Sequence, residues 1–357
     1  MSPHKLSHYA NLPANPVVAV AGVTGAVGRE MLLALEQRSF PAARVKALAS
    51  ARSVGKRLDF NGPGAEGTYE NGQGYLVVEE MRPESFADVD IALFSAGSAL
   101  SKEYRPFVRE AKAVMIDNSS AFRMDTDVPL VVPEVNPADV WLHQGVIANP
   151  NCSTIQLVMV LNVLSRLAPI KRVVCSTYQA ASGAGAAAMD ELYEQTRQFL
   201  AGEQLTIQNF LHQIAFNCIP QIDVFMDDGS TKEEWKMVVE TRKILHESDL
   251  ALAMSCVRVP VLRCHAESVH VEFASAVNVA AARELLAGAA GVSVIDDPAA
   301  QNYPMPGLLA GTDDVYVGRL RRDPSVTHGL AFWSVADQLR KGAALNAVQI
   351  AELLLAS

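Results

Sequence analysis

The stretch PVVAVAGVTGAVGREMLLALEQR, residues 16–38, restricts the possible folds of this chain more than any other segment. An unbroken apolar run, 16–22, passes directly into a glycine-rich turn and then into a helical repeat carrying Val27, Met31, Leu32 and Leu35. A strand that is apolar on both sides has to be covered on both faces, as in a parallel sheet. Gly22, Gly25 and Gly28 recur every three residues, so the turn reads G-x-x-G-x-x-G rather than G-x-G-x-x-G. Glycine permits the tight turn and a close backbone approach, and the first N–H groups of the following helix attract a phosphate. A strand–helix connection without a ligand would share this pattern, but its position at the first strand favours a nucleotide. The expected cofactor contacts are Gly22, Thr24, Gly25, Ala26, Val27 and Gly28.

The next segments keep the same alternation. ARVKALAS, VDIALFSAG and AVMIDNSS read as further strands, and SKEYRPFVREA as a helix that Pro106 kinks or starts late. Strands alternating with helices imply a Rossmann-type doubly wound parallel sheet. Beyond residue 152 the pattern changes. A helix over about 153–167 leads to the strand KRVVCSTYQA, the turn SGAG and the helix AAAMDELYEQTRQFL. The strands SCVRVPV, HAESVHVEFAS, DVYVGRLRR and GLAFWSVAD then follow with few helices between them, which suits an α+β domain on a mostly antiparallel sheet. The expected division is 1–151, with 1–15 a loose tail, then 152–335, then a C-terminal helix over 336–357. At 357 residues two domains are the natural expectation.

Composition narrows the function. Half the residues are apolar and 19% are charged, as in a globular protein with sizeable cores. A net charge of −9 argues against a general nucleic-acid binder, which needs clustered Lys and Arg. No stretch approaches the roughly 18 unbroken apolar residues of a membrane span, and the polar N-terminus does not read as a signal peptide. The five cysteines are widely spaced with no C-x-x-C pair, so reduced thiols, a cytoplasmic setting and no metal site are expected.

The end of the second strand bears on which nucleotide is bound. An NAD enzyme usually places an acid there for the ribose 2′-hydroxyl. Here the region reads ALASARSVGK, with Ser50, Arg52 and Ser53 and no acid, so the expected cofactor is NADP. An exposed loop arginine with no such duty would read the same way.

In NPNCST, residues 149–154, Cys152 stands where a helix begins. A helix start carries partial positive charge and free N–H groups, which stabilise a thiolate or an oxyanion. Cys175 and Cys256 fall inside apolar strands and read as core residues. A cysteine nucleophile needs an acid/base partner, and His265 opens a strand with its side chain directed inward. From periodicity alone it reads as a satisfied core histidine. Glu240 and Lys243, three apart on one helix face, read by spacing as a solvated ion pair.

Taken together the chain resembles the aspartate-semialdehyde dehydrogenase family over nearly its whole length. The matching segments are VAGVTGAVG, LASARSVGK, IALFSAG, IDNSSAFRM, VPLVVPEVN, NPNCSTIQ, STYQAASGAG, IPQIDVF, ETRKIL, CVRVPVLRCHAESV and KGAALNAVQIAE. The resemblance implies that Cys152 is the nucleophile forming a thioacyl-enzyme, that His265 is its acid/base and that Gln179 orients substrate and intermediate. It further implies that Arg258 grips the substrate α-carboxylate and Glu240 the substrate amine. Arg123 and Lys243 would surround the phosphate, and Asn151 would lie beside the nucleophile. Ser182 and Gly183 would approach the nicotinamide, with Asn346 on the cofactor side. Ala266 departs from the serine common after the histidine. The activity implied is NADPH-dependent reductive dephosphorylation of L-4-aspartyl phosphate to L-aspartate 4-semialdehyde, in lysine, threonine and methionine biosynthesis, by a homodimer joined through the second domain. A reductase of N-acetylglutamyl phosphate would share the glycine turn and the Cys–His pair but has no free substrate amine for Glu240. A non-catalytic NADP-binding relative would be free to lose Cys152, Gln179, Arg258 and His265.

Overall fold

The computed structural model describes residues 12–356, so the expected tail lies, for residues 1–11, outside the described residues. The chain divides into two compact units, Met1–Pro150 with Ala343–Ser357, and Asn151–Gly342. The crossings fall at 150/151 and 342/343, against the expected 151/152 and 335/336.

In the first unit β1 (Val17–Ala21) leads through the glycine turn into α1 (Ala26–Gln37) and back to β2 (Arg44–Ala49). The short strands β3 (Arg57–Asp59) and β4 (Gly67–Thr68) precede β5 (Gly74–Glu80). Then come β6 (Ile91–Phe94), α2 (Ser98–Glu110), β7 (Val114–Asp117) and β8 (Val146–Ala148). The parallel strands lie in the order β5-β2-β1-β6-β7-β8, with β3 and β4 paired antiparallel to β5. This is the doubly wound order, which reverses direction between β1 and β6. Val18, Ala19, Val20 and Ala21 are all fully buried, so the unbroken apolar run of β1 is what its central place requires. α2 starts at Ser98 and runs through Pro106, so it does not start late. The proline is exposed, and so is Lys102, whose carbonyl loses its helical donor.

The second unit begins with α3 (Cys152–Leu164), which is buried almost all round. There follow β9 (Ile170–Gln179), α4 (Ala186–Ala201), α5 (Lys232–Leu245), β10 (Ala251–Arg258) and β11 (His265–Phe273). The rest comprises α6 (Val279–Ala287), β12 (Val292–Val294), α7 (Pro306–Leu309), β13 (Val315–Asp323) and β14 (Gly329–Ala336). The sheet order is β10-β9-β11-β14-β13-β12, antiparallel in its three central pairings and parallel at both edges. Its two faces differ. Val173, Cys175, Thr177 and Gln179 of β9 are buried on one, while Tyr178 on the other is exposed and lies tilted against Trp333, with ring centroids 5.2 Å apart. α3 packs against α5, α6 and β14.

After β14 the chain makes a π-helical turn, Arg340–Ala344, and enters α8 (Leu345–Leu355). Within the first unit α8 packs on α1, and Arg38 pairs with Glu352. Among the described residues no helix is long and apolar enough to cross a membrane.

Candidate active site

Asn151 is the N-cap of α3: its Oδ1 accepts from the N–H groups of Ser153 at 3.0 Å and Thr154 at 3.2 Å. Cys152 is therefore the first helical residue, at the positive end of the helix dipole. It is half-buried, whereas Cys175, Cys256 and Cys264 are buried. Burial raises the thiol pKa of Cys175 and of Cys256, and pushes that of Cys264 up to about 12, so these three are inert core thiols. The backbone at Gly342 passes directly over the nucleophile: a Cβ there would lie 3.0 Å from Cys152 Cβ.

Strand pairing gathers the other candidates. β9 and β10 run parallel with Gln179 opposite Arg258 at their C-terminal ends, and antiparallel β11 starts with His265 at the same edge. One peptide group holds two of them. The Ala180 N–H donates to His265 Nδ1 at 3.0 Å, and Arg258 Nη1 donates to the Ala180 carbonyl at 2.7 Å. With Nδ1 accepting, the neutral ring carries its proton on Nε2, which has no hydrogen-bond partner among the described residues. Burial, then the Arg258 charge, push the His265 pKa down to about 3, so the ring is neutral at physiological pH. Gly183 completes this cluster. A Cβ there would sit 2.7 Å from Arg258 Nη1 and 3.0 Å from His265 Nε2. The Arg258 guanidinium is also close enough to feel the charge of a Cys152 thiolate. Arg258 thus lies close to both His265 and Cys152 within one unit, a relation that periodicity does not reveal.

Sequence reasoning passes over Gln338. Its Oε1 accepts from the Cys264 N–H at 2.9 Å, and its amide nitrogen donates to Ser182 Oγ. Cys264 has φ +73°, so this bond holds a left-handed residue directly before His265. Ala266 packs in an apolar cluster with Cys264, Leu309 and Val335, surroundings that suit a methyl group better than a hydroxyl.

α5 presents Glu233, Lys236, Glu240 and Lys243 at spacings of three, four and three, all on one face. Glu240 is buried and its Oε2 accepts from the Asn151 backbone N–H at 2.6 Å, while Lys243 is half-buried. The expected solvated ion pair gives way to a buried carboxylate that holds the start of α3. Glu233 is a second residue that the sequence reading overlooks. Its Oε1 accepts from Asn151 Nδ2 at 2.8 Å and Gln179 Nε2 at 3.1 Å, and its Oε2 pairs with Lys236 at 2.7 Å. The available signal was its place two helical turns before Glu240.

A third buried acid, Glu267, lies two residues beyond His265 on the same strand face. Burial pushes its pKa up to about 8, against hydrogen bonding from Gln156 and Ser334.

In the first unit Gly22 has φ +81°, and a Cβ there would lie 2.4 Å from the Ser95 carbonyl oxygen. At Gly28 a Cβ would lie 2.3 Å from the Gly22 carbonyl oxygen, so helix and strand can approach only through glycine. α1 starts from Gly25 with no side-chain cap, which suits an anion at its N-terminus. Thr24, Ala26 and Val27 are partly exposed along this turn. β2 ends at Ala49 without an acid, with Ser50 and Arg52 exposed and Ser53 buried beyond it. Arg123 is buried in this unit and donates to the Asn118 carbonyl at 3.0 Å. Asn346, expected on the cofactor side, also lies in this unit. It is fully buried, and its amide donates to the Val131 carbonyl at 3.0 Å and to Asn149 Oδ1 at 2.7 Å. The side chain thus anchors Asn149 in the strand-end loop.

Two family models match the chain: "Semialdehyde dehydrogenase, NAD binding domain" over 17–143 and "Semialdehyde dehydrogenase, dimerisation domain" over 161–341. The aspartate-semialdehyde dehydrogenase of Aquifex aeolicus is 52% identical over 340 residues, covering 94% of this chain and 97% of the relative. A crystal structure of aspartate semialdehyde dehydrogenase II from Vibrio cholerae complexed with ASA is 45% identical with a TM-score of 0.90, covering 96% of this chain and 99% of that one. A structure of the Candida albicans enzyme with NADP is 26% identical with a TM-score of 0.71, covering 95% and 98%. With this identity carried over almost the full length of both chains, the protein belongs to the aspartate-semialdehyde dehydrogenase family.

Proposed function

We propose that the chain converts L-4-aspartyl phosphate to L-aspartate 4-semialdehyde with NADPH, releasing phosphate, and runs the reverse reaction when given aldehyde, phosphate and NADP. The observation that carries this reading is the cluster of Cys152, Arg258, Gly183 and His265 at one end of the second unit's sheet. The Cys152 thiolate, stabilised by the α3 terminus, attacks the acyl carbon, and the C–O bond to phosphate breaks. Arg258 suits the substrate α-carboxylate, since its fork can meet both oxygens. Glu240 is the acid placed for the substrate amine, and Lys243 and Arg123 are the cations for phosphate. Gln179 and Asn151 border the nucleophile with amides of defined orientation. The cofactor supplies the hydride that reduces the thioester. The resulting thiohemiacetal collapses to aldehyde and thiolate, and the Nε2 side of His265 exchanges the proton of its oxygen.

NADP is the cofactor that the Ser50–Arg52–Ser53 segment suits, and the Candida relative's complex supports it. The glycine turn fits its pyrophosphate, and Ser182 and Gly183 are the residues of the second unit assigned to its nicotinamide. The family's dimerisation domain and the exposed sheet face bearing Tyr178 and Trp333 support a homodimer, which a monomer mass by light scattering would refute.

The test is a spectrophotometric assay with aspartate semialdehyde and NADP, run with and without phosphate. NADPH formation that requires phosphate, and is abolished in Cys152→Ala while NADP still binds, is the expected result. Turnover at the same rate without phosphate, or full activity in the alanine variant, would refute the mechanism.

A further inference from the structure

The amide of Asn151, the residue before the nucleophile, and the amide of Gln179 meet at one carboxylate, and a primary amide can face either way. Its oxygen and nitrogen are nearly equal in size and opposite in hydrogen-bonding sense. Asn151 must keep its oxygen toward the Ser153 and Thr154 N–H groups to cap α3. Gln179 keeps its oxygen toward the Thr177 hydroxyl at 3.1 Å. The nitrogens of both amides therefore point at a single atom, Oε1 of Glu233.

We propose that Glu233, tied through its other oxygen to Lys236, is the positioning residue that fixes the orientation of both amides and thereby the cap of the nucleophile helix. The proposal rests on the reaction assigned above and names a residue that does not touch the substrate.

The local charges support it. Glu233 is buried and, among the described residues, Lys236 is the cation paired directly to it; Lys236 is paired in turn to Asp223 at 2.9 Å. Burial works against its ionisation, but Lys236 and the two amides outweigh it and hold the carboxyl down at about 2. Its charge is also felt by Cys256 and Arg258 on β10 and by His265 on β11. The carboxylate is thus an acceptor on both sides at every working pH. A glutamine cannot be. If its oxygen meets Lys236, its NH2 group faces two donors, and Asn151 has to turn its own nitrogen toward the helix N–H groups. If its oxygen meets the amides, its NH2 group faces the ammonium.

This conflict makes the test specific. In Glu233→Gln, kcat should fall about 100-fold, the size of loss that misplacement of reacting groups by about an ångström produces. KM for NADP should change less than about twofold, because the first unit's turn is untouched. The pH midpoint for iodoacetamide alkylation of Cys152 should rise as the cap is lost. In Glu233→Gln with Lys236→Met, the glutamine oxygen is released to face the amides. At least about tenfold of the kcat loss should then return, together with the wild-type midpoint. The proposal is overturned if the single variant keeps its kcat within threefold, if its alkylation midpoint does not move, or if the double variant recovers nothing. Alkylation needs no turnover, so it tests the positioning role even if the wild-type protein fails the phosphate-dependent assay and the assigned reaction falls.

Discussion

Glu267 should make the stability of this protein fall as pH rises, and Glu267→Gln should remove that dependence. The carboxyl is fully buried on β11. Its Oε2 lies 3.4 Å from Ser334 Oγ, and among the described residues its Oε1 and the Gln156 amide beside it complete no well-directed bond. The nearby Cys175 and Cys256 are held as neutral thiols and offer the carboxylate no positive charge. With the folded-state pKa near 8 against the ordinary 4.5, the folded protein keeps a proton that the unfolded chain has released. Where the folded state binds more protons, unfolding free energy declines with pH at about 1.4 kcal/mol per unit for one group. The loss begins above the unfolded pKa and is complete once pH passes the folded pKa. His265 acts in the opposite sense below its unfolded value and is present in both proteins, so it drops out of the comparison. Glutamine resembles the protonated acid and does not titrate. Urea unfolding of wild type and variant, at one protein concentration and at about pH 6 and pH 7.5, should show the difference shifting toward the variant by about 2 kcal/mol. A difference that stays constant with pH would refute the claim that Glu267 is buried as the neutral acid.

Gly183→Ala puts a methyl carbon 2.7 Å from Arg258 Nη1 and 3.0 Å from the His265 ring, so kcat/KM should fall at least about 100-fold with a nearly unchanged melting temperature. An alanine variant within threefold of wild type would show that the two side chains are free to move aside. Arg52→Ala should raise KM for NADP by about tenfold or more and leave KM for NAD nearly unchanged, as loss of a charged bond to a 2′-phosphate would. Equal changes for both cofactors would place the arginine elsewhere.

What could be read from the sequence is what local rules determine. The glycine turn and the start of α3 are legible because caps, apolar runs and glycine act over a few residues. The neighbours of Cys152 are a different matter. Gln179 and Arg258 meet because β9 and β10 pair in parallel with one register, and nothing near either residue encodes that register. His265 read as a core histidine for a sound reason, since it is wholly buried. Only the unpartnered Nε2 separates it from one, and hydrogen bonds between distant residues are not written in periodicity. The same holds for α5. An acid in a first turn after Thr231 looks like part of a capping box, which Glu234 indeed completes, while Glu233 beside it turns inward.

The C-terminal helix shows how a site can override local preference. KGAALNAVQIAELLLA has every mark of one uninterrupted helix, yet its first residues form a π turn and regular helix starts only at Leu345. The Asp337 carbonyl accepts from both Arg340 at 3.1 Å and Gly342 at 3.2 Å, and the second of these bonds spans five residues. Widening the turn in this way brings the backbone of Gly342 against Cys152, where a side chain would begin 3.0 Å from the nucleophile's Cβ. Wide turns of this kind are rare and favour functional sites because they give up hydrogen-bond geometry that a plain helix would keep. Here what is gained is close cover over one face of the nucleophile, at an approach that a side chain would crowd. The irregularity and the glycine are therefore one feature, set by the position of the cysteine far away in sequence.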